Sequence, residues 1–188
     1  MPDELVGAWE RISVALDGGA PDEPADVVWV QGRSAFADLR VPRVGVGARV
    51  EAPDLPYGTR SVARCFAGHA TYEAPNLRWH HTIDLAGEPA DEDDVGHVRW
   101  DAGDLVEEGT FLIDGVAVPY VEVWRKLPNG AGRVVEITDA GFVHVEIGDH
   151  ALTIEDKRDA GGAFFARYRR CGELALAYGP HVGSEARR

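Results

Sequence analysis

Three segments of the chain carry aromatic and ionisable side chains two residues apart. Phe36, Asp38 and Arg40 share one parity, Tyr120, Glu122 and Trp124 share another, and Leu77, Trp79, His81, Ile83 and Leu85 a third. In an extended strand, residues two apart point to the same side. If the aromatic sides face one interior, Asp38, Arg40, His81, Tyr120 and Glu122 meet there among Trp29, Trp79 and Trp124, with Gln31 and Phe36 on the same walls. Apolar walls with a few convergent polar groups are the usual make-up of a small-molecule site. Glu122 and His81 would supply a base and an acid, with Tyr120 and Arg40 orienting or stabilising an anion. Buried charges need partners, and Arg40 with Glu122 or Asp38 is the expected pair. The same groups could instead serve only as ion pairs that fix strand register, or lie on outward faces with no site. In 77–85 the even positions, Arg78, His80, Thr82 and Asp84, should meet solvent, which makes His81 the internal histidine and His80 the external one.

Other motifs do not complete. Asp91-Glu92-Asp93-Asp94-Val95-Gly96 begins like a calcium loop. Val95 holds a ligand position, however, and Ala102 stands where the bidentate Glu is needed. Gly45-Val46-Gly47-Ala48-Arg49-Val50 lacks the last glycine of a dinucleotide fingerprint. Gly32-Arg33-Ser34-Ala35-Phe36 lacks the closing glycine of a nucleophile elbow. There is no HExxH or CxxC pair. His69, His80 and His81 could meet across adjacent strands, which leaves zinc or haem open. His144, His150 and His181 sit near turns or the chain end and read as exposed. No cofactor is called for.

The elements that must position these groups read as strands. Short apolar stretches rich in Val, aromatic residues and Thr end at turn signals: 6–14, 27–31, 35–41, 61–73, 77–85, 97–100, 142–147, 151–156, 164–170 and 174–178. Asp114-Gly115 lies within the apolar run 111–118, and Asn129-Gly130 between 120–127 and 133–138, each as in a type I′ hairpin. Residues 43–60 hold Gly45, Gly47, Pro53, Pro56 and Gly58 and read as a long loop, either a lid or a variable connection. Many antiparallel strands with short hairpins must hide their edges, and closure into a barrel does so. The expected fold is all-β: a single antiparallel barrel of about eight to ten strands, with an interior wide enough for one small ligand. One domain should span 1–188, with 181–188 a loose tail.

Composition narrows the partners. The 188 residues include 32 Asp and Glu against 19 Lys and Arg, a net charge of −13. That argues against nucleic acid, whose phosphates need clustered cations, and against an anionic membrane surface. No run approaches the roughly 18 apolar residues of a span, and Met1-Pro2-Asp3-Glu4 lacks the start of a secretion signal. A cytoplasmic protein is expected, with Cys65 and Cys171 as thiols. The 22 glycines read as hairpin punctuation. The partner expected is a small molecule, and a homodimer stays open.

Gly7-Ala8-Trp9 resembles the G-x-W signature of lipocalins and other calycins, in which the Trp closes the barrel floor under an Arg from a late strand. Arg167 and Arg169 are the candidates here, through a cation–π contact. A longer string resembles one calycin-like family, shared by small bacterial proteins and a yeast casein-kinase-interacting protein with two lipocalin-like barrels. It comprises Trp29-Val30-Gln31, Phe36-Ala37-Asp38-Leu39-Arg40-Val41-Pro42, Cys65-Phe66-Ala67-Gly68, Trp79-His80-His81-Thr82-Ile83-Asp84, Glu108-Gly109 and Tyr120-Val121-Glu122-Val123-Trp124-Arg125. The resemblance covers residues 5 to about 127 and implies a barrel, but no reaction or ligand. Two functions follow as expectations: binding of a small, mainly apolar or aromatic molecule, or cofactor-independent acid–base catalysis (isomerase, cyclase, lyase or hydrolase) on an aromatic or polyketide-like substrate. A protein-interaction module with a filled barrel is the third.

Overall fold

The computed structural model describes residues 1–43, 63–87, 94–113 and 116–179. The lid expected at 43–60 therefore lies outside the described residues, apart from Arg43, as do the Asp114-Gly115 turn and the 181–188 tail. Eight strands close into an antiparallel barrel: β1 Gly7–Leu16, β2 Ala25–Gln31, β3 Ala35–Pro42, β4 Arg64–Glu73, β5 Asn76–Asp84, β6 Asp94–Asp101, β7 Asp104–Ile113 and β8 Val116–Lys126. Each pairs with the next and β8 returns to β1, so both of its edges are used. The fold is all-β as expected; its one helical piece among the described residues is the 3-10 turn Arg158–Ala160. No helix among them is long and apolar enough to cross a membrane.

The later strands do not add staves. β9 Val134–Asp139, β10 Phe142–Ile147, β11 His150–Asp156, β12 Phe164–Arg170 and β13 Glu173–Tyr178 form a separate meander sheet. With β8 already paired on both sides, Asn129-Gly130 does not close a hairpin onto it. Instead it carries the chain across to this sheet, with the Gly130 carbonyl accepting from the Ala8 amide. The sheet lies on the outer side of β2, β3 and β4. Val28, Val30, Ala37, Leu39, Cys65 and Ala67 form one core with Val143, Val145, Leu152, Ile154 and Ala166. Strands β2 and β3 are thus buried on both faces, which is why they read as nearly continuous apolar runs. Across the seam, the Glu136 carboxylate accepts from the Ser34 and Ala35 amides at 2.9 and 3.0 Å.

Two register shifts decide which side chains enter the barrel. One lies between Arg11 and Ser13 of β1. In the other, Gly68 pairs with His81 but Ala67 pairs with Ile83, so Thr82 is the extra residue of a bulge. A Cβ at Gly68 would sit 2.0 Å from the His80 carbonyl oxygen, so only glycine permits this approach. The bulge corrects the expected alternation of 77–85. Asp84 turns inward with His81, and Ile83 turns outward into the shared core.

Candidate functional site

Indoles fill the floor half of the barrel. Trp9, Trp29, Trp79 and Trp124 come from β1, β2, β5 and β8, and none is more than 6% exposed. Trp29 sits at the centre, stacked on Trp9 at 5.7 Å and edge-on to Trp79 and Trp124 at 5.8 and 5.5 Å. Lys126 closes the floor: its Nζ lies 4.6 Å over the Trp9 ring and donates to the Glu4 and Val6 carbonyls at 2.7 and 3.1 Å. The Trp9 indole N–H donates to Leu5 O. The expected stacking arginine is therefore replaced by a lysine of β8. Arg167 lies over Phe165 and Arg169 reaches the Gly172 carbonyl, both on the second sheet, which packs outside the barrel wall. Gln31 is fully buried near the floor; its Nε2 donates to Gly32 O at 3.0 Å.

Above the indoles lies a layer of charge. Arg40 Nε donates to Asp38 Oδ1 at 2.8 Å and its Nη1 to Glu122 Oε1 at 3.2 Å. Arg11 donates to the same Glu122 oxygen, and through Nε to Glu23 Oε2 at 2.8 Å. Arg40 also packs against the faces of Phe66 and Trp124, at 5.1 and 5.8 Å. Burial pushes the Asp38 carboxyl up, while Arg40 beside it pulls down. Burial opposes the charge on Arg40, but Asp38 and Glu122 hold its pKa well above the ordinary value.

Glu107 of β7 stands directly opposite Glu122 of β8. It accepts from the Tyr120 hydroxyl at 2.6 Å and from the Trp124 indole at 3.0 Å. Burial first, and then the charge on Glu122, push its pKa to about 8, against the pull of the Tyr120 hydrogen bond. Tyr120 is raised too, by its own burial and by Glu107. Two strands along the wall, on β5, His81 is held between Asp84 (3.1 Å) and Asp94 (3.0 Å) and stacks on Phe66 at 4.4 Å. Burial works against its charge, yet the two carboxylates raise it to about 9, so it is an imidazolium at neutral pH.

All ten expected residues therefore point into the barrel. Arg40 contacts both Asp38 and Glu122, Tyr120 adjoins them through Glu107, and Arg40 and His81 both pack on Phe66. Trp29, Trp79 and Trp124 cluster below them, and Phe36 packs on Phe66 and His81. Sequence reasoning missed Arg11, Glu23, Asp84, Asp94 and Glu107. Arg11 shares the parity of Trp9 and could have been found. Glu107 lies in a stretch, Asp104 to Thr110, whose two adjacent acids and glycine weaken the strand signal. Asp84 sits beyond the bulge, Glu23 lies in the connection before β2, and Asp94 is the first residue of β6.

The other histidines do not converge. His69 and His80 stack on the outside of the barrel at 4.5 Å, with the wall between them and His81. His150, expected to be exposed, is fully buried between the Tyr168 hydroxyl and the Pro128 carbonyl. No group among the described residues is arranged to hold a metal ion. A cleft of about 260 Å³ lies outside the barrel at the seam with the second sheet, beside Glu10, Asp26, Arg43, Tyr168 and Arg170. Its Arg43 and Asp26 pair with one another at 2.7 Å.

Comparison with known proteins bears on this barrel. A family described as Protein HRI1 matches residues 8–169, most of the chain. Among solved structures, uncharacterized protein YLR301w from Saccharomyces cerevisiae superposes with a TM-score of 0.60 at 15% identity. The match covers 94% of this chain and 86% of that one. At that identity the likeness is one of fold. No curated protein sequence matches the chain.

Proposed function

This chain belongs to the HRI1 family, and we propose that its barrel holds a small, mainly apolar or aromatic molecule. One observation carries the reading. Among the described residues, three buried side-chain atoms lack a hydrogen-bond partner: Trp29 Nε1, Gln31 Oε1 and Glu122 Oε2. All three belong to side chains turned into the barrel, Trp29 and Gln31 in its indole half and Glu122 in the charged layer. An unpaired buried donor or acceptor costs about 1–3 kcal/mol, so a ligand that satisfies it gains affinity and orientation together. The charged half is also the less closed one, with the Arg40 and His81 side chains 15% and 21% exposed. The calycin-like resemblance supports the same use of the interior: a closed barrel, and a cation over a floor tryptophan. A cytoplasmic setting suits the two free thiols.

The test is a screen of small aromatic compounds against protein labelled at the indole nitrogens. Saturable shifts of the Trp29 and Trp124 indole N–H resonances are expected for some members of the set. If no compound moves any barrel indole, the barrel is a filled scaffold and the proposal fails.

A second reading, cofactor-independent acid–base catalysis, is favoured by Glu107, a carboxyl raised to about 8 and bonded to Tyr120. Glu107 rather than Glu122 would carry the proton, since Glu122 is clamped by two guanidiniums. Unchanged turnover of a natural substrate by Glu107→Gln would remove this reading.

A further inference from the structure

Two neighbouring strands set complementary hydrogen-bonding groups side by side in the charged half of the barrel. Glu122 of β8 is 1% exposed, and both guanidiniums that reach it, Arg11 and Arg40, donate to the same oxygen, Oε1. That clamp fixes the carboxylate, and its other oxygen, Oε2, accepts nothing. Glu107 stands directly opposite on β7, 5% exposed. The Trp124 indole donates to one of its oxygens, and the Tyr120 hydroxyl is bonded to the other. Glycines seat both side chains. A Cβ at Gly96 would lie 2.6 Å from Glu107 Cγ, and one at Gly109 2.5 Å from the Tyr120 phenol carbon.

Burial next to the Glu122 charge keeps Glu107 a carboxylic acid at neutral pH. Glu107 and Tyr120 then hold two protons, and the 2.6 Å hydrogen bond between them uses one. The other is a spare buried donor beside a spare buried acceptor, Glu122 Oε2.

We propose that the molecule held in the charged half of the barrel carries a neutral cis-amide edge, a lactam or carboxamide on an aromatic body. Its N–H donates to Glu122 Oε2, and its carbonyl accepts from the Glu107–Tyr120 pair. This rests on the barrel being a binding site. An amide fits because one planar group presents a donor and an acceptor side by side. An ammonium group has no acceptor for the spare proton, and a carboxylate has no donor for Oε2.

Three bicyclic compounds of one shape, all neutral at pH 6.5, test the edge: 2-quinolone, its lactone isostere coumarin, and 2-naphthol. Coumarin keeps the carbonyl and replaces the N–H by an oxygen. Binding is read by titrating the barrel indole N–H resonances, of which Trp124, bonded to Glu107, should move most. 2-Quinolone should bind about 10-fold or more tightly than coumarin, which cannot donate to the carboxylate.

The spare donor is tested by pH. Glu107, at about 8, is faced by Glu122 and Tyr120 of β8, Asp94 of β6 and Arg40 of β3. Once it ionises, the remaining proton lies between Tyr120 and Glu107, and none is left for the carbonyl. The affinity for 2-quinolone should therefore fall about 10-fold from pH 6.5 to 9, following the protonated fraction. It should stay level in Glu107→Gln, whose amide keeps a donor; a level response there also sets aside His81, which titrates at about 9.

Coumarin binding as tightly as 2-quinolone would show that Oε2 needs no donor from a ligand. That overturns the amide edge and leaves the binding proposal standing. 2-Naphthol matching 2-quinolone reassigns the polar group to a hydroxyl, with the same consequence. A fall with pH that persists in Glu107→Gln overturns the part given to Glu107. A set that moves no barrel indole overturns the edge, while the wider aromatic screen decides the binding proposal by itself.

Discussion

At Arg40 a single guanidinium satisfies Asp38, shares Glu122 with Arg11 and packs on two rings. Arg40→Met should therefore strand the buried Asp38 carboxylate, leave Glu122 to Arg11 alone and destabilise the protein by about 3–5 kcal/mol in urea unfolding. A loss under 1 kcal/mol would mean that water already solvates the layer. His81 and Glu107 carry opposite pH signs. His81 is raised from its ordinary 6.5 to about 9. Its stabilisation is full below about pH 6.5 and is lost as pH rises through 9. The stability advantage of the natural protein over His81→Gln should accordingly shrink by on the order of 3 kcal/mol between pH 6 and 10. Glu107 is an acid raised to about 8. Its fold prefers the neutral form, so a penalty builds as pH climbs from about 4.5 to 8. Over that window Glu107→Gln should gain on the natural protein in the same urea series. A gap that stays flat with pH would show that Glu107 is ionised throughout.

At the level of strands, several glycines do more than punctuate hairpins. Gly109 of β7 faces Tyr120 of β8, and a Cβ there would lie 2.5 Å from the phenol carbon and oxygen. Its bare Cα leaves the ring room to reach Glu107. Gly109→Ala should push Tyr120 off that carboxylate and cost about 1–3 kcal/mol by overpacking, with the Tyr120 ring resonances displaced. An alanine variant with unchanged stability and unmoved Tyr120 would refute the close approach. Gly68 plays a comparable part at the bulge, where one extra residue in β5 brings His81 and Asp84 to the same side. Neither role could be anticipated from composition, because a mid-strand glycine looks the same in a sequence whether it admits a ring, a carbonyl or nothing.

For the whole molecule, the outer wall of β2, β3 and β4 is the second sheet's core. The barrel and the sheet should consequently unfold together. All five tryptophans belong to barrel strands, so fluorescence reports the barrel alone while far-ultraviolet circular dichroism reports both parts. Coincident urea transitions are expected from the two probes. A separate circular dichroism step with fluorescence unchanged would show that the sheet melts by itself.

Much of this was legible in the chain alone. Alternation is a local property of extended backbone, so the all-β class and the inward sides of 36–40 and 120–124 followed from residue types, as did the pairing of Arg40 with Asp38 and Glu122. Tertiary structure decided that five strands leave the barrel, because β8 has no free edge to offer them. It also placed Lys126 rather than a late arginine over Trp9, turned Asp84 inward past a one-residue bulge, and set Glu107 opposite Glu122. Each of these depends on which strand lies beside which, and contacts between residues distant in sequence fix that.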